Sequence, residues 1–189
     1  GVALNQIVAA YLALFAWLCL VALAAPAQNI VVQSAFVNVQ EGVFDLNARI
    51  IFPLNNDVRT ALSDGATVSL ELRAVVERKR RYWFDAELID ATLLRELSWN
   101  AVSQRYILRE VGSSEQQSFT ALDQALSAAG QVRSWPVVVE PQLDPESTYS
   151  IRVRASIRRG RLPDTLRTLM FWSDGWNFGS EWYSWILPR

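Results

Sequence analysis

The chain has 189 residues, 51% hydrophobic and 20% charged, enough for one well-buried domain. It contains no histidine and one cysteine, and 17 Arg stand against one Lys, which excludes Ser-His-Asp and Cys-His nucleophile pairs, imidazole bases and the usual Cys/His zinc sites. A formal net charge of −1 lacks the basic excess of a dedicated nucleic-acid binder.

The first charged residue is Glu41, and Ile7 to Ala25 is an unbroken apolar run of 19 residues. Two readings fit. Ala25-Pro26-Ala27 before Gln28 supplies a small-x-small cleavage site for a secretory signal peptide. An uncleaved anchor fits as well, because about 20 apolar residues span a bilayer core. Either way residues 1–27 form a hydrophobic helix, a signal peptide or membrane anchor. Residues 28–189 are then a single exported domain, delivered across a membrane in either case. Cys19 lies mid-run, and Trp17 before it spoils a lipobox. The exported part therefore has no cysteine and depends on its hydrophobic core alone.

That part reads as strands with short helical interruptions. Asn29 to Val39 and Val43 to Phe52 are β-rich runs joined by the hairpin signal Gln40-Glu41-Gly42. In the second run Phe44, Leu46, Ala48 and Ile50 share one face. Asp57 to Ser63 is a helix capped by Asn55 or Asn56 and stopped at Gly65. Val68, Leu70, Leu72, Ala74 and Val76 then alternate against Ser69, Glu71, Arg73, Val75 and Glu77. After Arg78-Lys79-Arg80-Arg81 a strand is expected from Tyr82 to about Ile89. A further hairpin is expected from Leu93 to Trp99 and Arg105 to Val111.

Thr120 with Asp123 has a capping-box arrangement for a helix closed by Gly130. Val132 to Val139 contains Pro136 and is expected on an edge. From Thr148 to Arg158 the residues Tyr149, Ile151, Val153, Ala155 and Ile157 point inward. Leu162 to Phe171 is expected as a third short helix and Gly179 to Leu187 as the last strand. The fold class is mainly β, an antiparallel two-sheet sandwich with two or three short helices.

Two constellations stand out. Phe171, Trp172, Trp176, Phe178, Trp182, Tyr183 and Trp185 crowd one C-terminal segment. They form either part of the core or a platform for sugar rings, peptide or membrane interface, with Trp176 and Trp182 the expected exposed members. The cluster Arg78-Lys79-Arg80-Arg81 runs into Tyr82-Trp83-Phe84, which suits an anionic partner: a phospholipid head group, an acidic protein surface or an anionic glycan. The competing reading is a solvated hairpin end whose charges guard an edge. Arg152, Arg154, Arg158, Arg159 and Arg161 add a second basic strip. The residues expected to contact a partner are Arg78, Arg80, Arg81, Trp83, Trp176 and Trp182.

Enzyme readings are thin. Asp85 and Glu87 at period 2, or Asp174 and Glu181, are the available acid pairs for glycosidic cleavage. A Ser-x-x-Lys nucleophile ending at Lys79 fails because Val76 occupies the serine position. There is no Gly-rich phosphate loop, Asp-rich calcium loop or metal-ligand spacing. No catalytic residue, metal, cofactor or nucleic acid is expected.

The order of motifs resembles a known family. Leu62-x-x-Gly65-x-x-Val68-x-Leu70 is followed by Arg80-Arg81-Tyr82-Trp83-Phe84-Asp85, Leu97-x-Trp99 and Tyr106-x-Leu108. Then come Phe119-x-x-Leu122 with Ala125-Leu126, Leu162-Pro163, Trp176, Ser180-x-Trp182 and Trp185-x-Leu187. This series is similar to the proteobacterial family catalogued as domain of unknown function 4390. One departure is Ser98-Trp99-Asn100, where the family pattern has Arg-Tyr-His. The resemblance implies an exported, mostly β domain without assigned activity, periplasmic or facing the periplasm from the inner membrane, and encoded beside a sensor histidine kinase of the nitrogen-regulation type. The expected function is binding, as an accessory to such a kinase or another envelope protein. The membrane is a further partner if the leader stays uncleaved. A cell-wall or glycan module using the C-terminal tryptophans is the alternative, and a carboxylate hydrolase the remote one.

Overall fold

The computed structural model describes residues 29–160 and 177–188, together with Gln6. The apolar leader, the expected helix at Leu162 to Phe171, and Trp176 lie outside the described residues. Among the described residues no helix is long and apolar enough to cross a membrane.

Two antiparallel sheets enclose one core. The smaller has three strands in the order β1-β2-β7, with β1 at Val31–Gln40, β2 at Val43–Ile51 and β7 at Gln131–Val139. The larger runs β10-β8-β3-β4-β5-β6, with a short β9 also against β8. Its members are β3 (Val68–Arg78), β4 (Ala86–Asn100), β5 (Arg105–Glu110), β6 (Gln116–Phe119), β8 (Tyr149–Arg159), β9 (Asn177–Gly179) and β10 (Tyr183–Ile186). The mainly β, two-sheet expectation is borne out.

Alternation sets the faces. Phe44, Leu46, Ala48 and Ile50 of β2 are buried, and so are Val68, Leu70, Leu72, Ala74 and Val76 of β3 and Ile151, Val153, Ala155 and Ile157 of β8. Side chains two apart share a sheet face, so each row meets the opposite sheet and sets neighbours such as Arg73 and Arg154 on the outer face, where Ser69 and Ser150 are nonetheless buried.

Both helices sit where the chain changes sheets. Helix α1 (Asn56–Ser63) carries it from β2 to β3, and α2 (Leu122–Ala129) from β6 to β7. Asn55 caps α1 by accepting the Val58 N–H at 2.9 Å. Gly65, at φ +83°, closes it with Gly65 N–H to Leu62 O and Ala66 N–H to Ala61 O. That pair of bonds is the Schellman arrangement, in which a left-handed glycine lets the last carbonyls find donors. The capping box expected at Thr120 does not form. The N-cap of α2 is Ala121 and makes no side-chain bond, while the Asp123 carboxylate turns to the next N–H, that of Gln124. Burial of Leu122, Ala125, Leu126 and Ala129 holds this helix instead.

Four strand expectations change. The Tyr82–Ile89 and Leu93–Trp99 strands are one continuous 15-residue β4, which starts only at Ala86. Consequently Tyr82, Trp83 and Phe84 lie in a loop. The polar strand β6 has no signature in the sequence, because Gln-Gln-Ser-Phe carries no alternation. The single terminal strand is split into β9 and β10. Ser180 stitches the gap: its N–H donates to Ala155 O and its Oγ accepts from Ala155 N–H.

Candidate functional site

Beyond Arg78, which lies opposite Tyr149 at the start of β8, the β3–β4 hairpin has no third strand beside it among the described residues. A two-stranded ribbon in water is marginal, and the chain opens into a seven-residue loop, Lys79 to Asp85. Its base is well tied. Lys79 Nζ pairs with Asp85 Oδ2 at 2.7 Å, and the Arg80 N–H donates to Asp85 Oδ1 at 3.1 Å. These two donors, Lys79 first, hold the Asp85 carboxyl below the ordinary carboxylate range.

A second anchor comes from the turn before β8. Lys79 N–H donates to Thr148 O at 2.8 Å and Arg78 pairs with Asp144 at 2.9 Å. Asp144 is itself positioned, because its N–H donates to the buried Tyr149 hydroxyl at 2.9 Å.

The tip presents what the base does not use. Tyr82 is 80% exposed, Trp83 79% and Phe84 96%. Arg81 lies over the Tyr82 ring at 5.5 Å. Neither Arg80 nor Arg81 makes a salt bridge among the described residues. A broad cleft of about 690 Å³ is lined by the loop on one side and by Glu146, Ser147 and Thr148 on the other. An apolar groove of about 440 Å³ opens at the same pole, walled by Val39, Phe44, Leu143, Pro145, Tyr149 and Leu187.

Of the residues singled out from sequence, Arg78, Arg80, Arg81 and Trp83 are together on this hairpin. Arg78 serves the base, and Arg80, Arg81 and Trp83 are exposed in the loop. Tyr82 and Phe84 belong with them. The unbroken run of four cations and three aromatics, with no polar alternation, was the available signal that this stretch is not a strand.

Trp182 sits elsewhere, on the outer face of the larger sheet. The Arg152 guanidinium lies 4.3 Å and that of Arg73 5.8 Å from its ring. Arg73 is held by Asp90 in a two-pronged pair at 2.8 and 2.6 Å. That contact keeps the Arg73 pKa above, and the Asp90 pKa below, their ordinary values. Arg152 pairs with Glu77 and Arg158 with Glu71, both acids of β3, while Arg154 donates to the Ser180 carbonyl. Trp185 packs against the core, and Phe178 and Tyr183 are about two-fifths exposed.

Two acid arrangements considered from sequence change as well. Asp85 precedes β4 and so does not share a strand face with Glu87, and its carboxylate is engaged by Lys79. Asp174 lies outside the described residues. Among the described residues no group of three or more His, Cys, Asp and Glu could hold a metal ion.

A family model described as Domain of unknown function (DUF4390) matches residues 27–186. No curated protein and no solved structure matches the chain.

Proposed function

Because the chain belongs to the DUF4390 family, we propose its function from the site itself: it acts by binding, through the Arg80–Phe84 tip, and not as an enzyme. The observation that carries this reading is the exposure of three consecutive aromatic side chains on a loop whose base is firmly anchored. Solvating that much apolar surface is unfavourable, and a partner that buries it gains the area while Arg80 and Arg81 orient an acidic surface.

The setting is the cell envelope, reached through the apolar leader at residues 7–25. The partner is a membrane sensor histidine kinase, or another envelope protein beside it, as the family resemblance implies. Placement supports a protein over the leader's own bilayer. The chain enters the fold at Ile30, and β1 runs ten residues, roughly 33 Å, towards the pole that carries the tip. A leader held in a membrane would therefore leave the aromatic tip at the far pole.

The test is affinity purification of the full chain from solubilised membranes, followed by identification of co-purifying kinase. Recovery of the kinase by the native chain, and its loss with Arg80→Glu and Arg81→Glu together, is the expected result. If no kinase is recovered and the double reversal leaves kinase signalling intact, the reading fails.

A further inference from the structure

Four sheet edges are open among the described residues, and three of them are blunted. β7 carries Arg133 and Pro136, and Ser134 at φ +48° adds a left-handed kink. β6 has only four residues. The β9 and β10 edge is three residues and four, interrupted at Ser180. These are the devices by which sheets avoid pairing with other chains.

The edge at β1 has none of this strength of protection. It is ten residues long, Val-Val-Gln-Ser-Ala-Phe-Val-Asn-Val-Gln, without charge, proline or glycine. One register irregularity between Val32 and Ser34 is its only break. Val32, Ala35 and Val37 pack inward, while Val31, Phe36 and Val39 are 49%, 52% and 45% exposed.

We propose that this edge pairs with the β1 edge of a second copy, antiparallel about a two-fold axis. A strand with no charge meets no repulsion from its own copy and offers a charged foreign strand nothing to select. Pairing about Phe36 sets Phe36 against its counterpart and Ser34 opposite Asn38. The operation keeps inner and outer faces on the same sides, so the three-stranded sheet continues into one of six strands.

Sedimentation of the full chain in density-matched detergent, over a range of concentrations, tests this. The expected result is a monomer–dimer equilibrium whose dissociation constant rises at least about tenfold with Phe36→Lys or Asn38→Lys. Gln117→Lys on the β6 edge leaves it unchanged. Circular dichroism verifies that each variant remains folded, as the exposure of these side chains predicts. With Cys19→Ser, a Phe36→Cys chain should form a disulfide-linked dimer in intact cells. A monomer at every concentration overturns the proposal. So does a dimer that both β1 substitutions leave intact, or that Gln117→Lys weakens equally.

Discussion

The β1–β2 hairpin turns on two residues, Glu41 and Gly42, whereas the β3–β4 hairpin at the same pole uses seven, three of them exposed aromatics. Glu41 at φ +50° and Gly42 at φ +77° give the mirror-image turn that suits the strand twist. The Gly42 carbonyl then accepts the Glu140 N–H at 2.7 Å, fastening the turn to the rest of the pole. In the longer loop every strong contact lies at its base. Joining two antiparallel strands requires no more than the first solution, and it is the extra length of the second that carries the proposed contact surface. One hairpin is closed tightly, and the other is extended with its aromatic tip exposed.

That contrast can be broken most directly by removing the tip. Replacing Tyr82, Trp83 and Phe84 by alanine together should cost about 3 kcal/mol of partner affinity, measured by surface plasmon resonance, with the thermal midpoint unmoved. A large fall in the midpoint would make the tip a structural element. The reciprocal test is Gly42→Val, which forces a β-branched residue into the left-handed region. It should lower folding stability by about 2 kcal/mol in urea titration and leave partner affinity per folded molecule unchanged.

A finer test addresses the base. Tyr149→Phe removes the acceptor for the Asp144 N–H and should cost about 1 kcal/mol, with faster amide exchange at Asp144 and Lys79. The smallest effect concerns Asp85. Its carboxyl is depressed by Lys79 and the Arg80 N–H, so its anchoring is complete above the ordinary carboxylate range, about pH 4, and is lost as pH falls through the depressed value. Asp85→Asn should therefore speed trypsin nicking at Lys79, Arg80 and Arg81 at neutral pH while leaving the midpoint nearly unchanged. Equal nicking rates in the two proteins would show that the ion pair does not order the loop.

Trp83 and Trp182 mark how far the site was legible in the sequence. Trp83 stands out beside the Arg78–Arg81 cluster and Trp182 within the C-terminal aromatic segment, and chain adjacency is the only guide to either. For Trp83 it was a good one, since a hairpin loop keeps neighbours in sequence together in space. For Trp182 it was not. The cations over its ring, Arg152 and Arg73, come from β8 and β3, and their own acids, Glu77 and Asp90, come from β3 and β4. Nothing local to Trp182 announces those partners.

The same division runs through the fold. Strand faces in β2, β3 and β8, the tight turn at Glu41-Gly42, and the caps of α1 follow from the sequence by itself. They depend on a period of two, on left-handed glycine and on an asparagine three residues ahead of an amide, all interactions within a few residues. Tertiary structure alone decided that β8 lies between β3 and the split β9–β10 edge, and that Asp123 abandons its box because packing already holds α2. It also decided that Tyr82 to Phe84 leave the sheet. β-propensity favours all three of those residues as strand, but a strand needs a neighbour to accept its backbone hydrogen bonds, and β8 begins at Tyr149, level with Arg78.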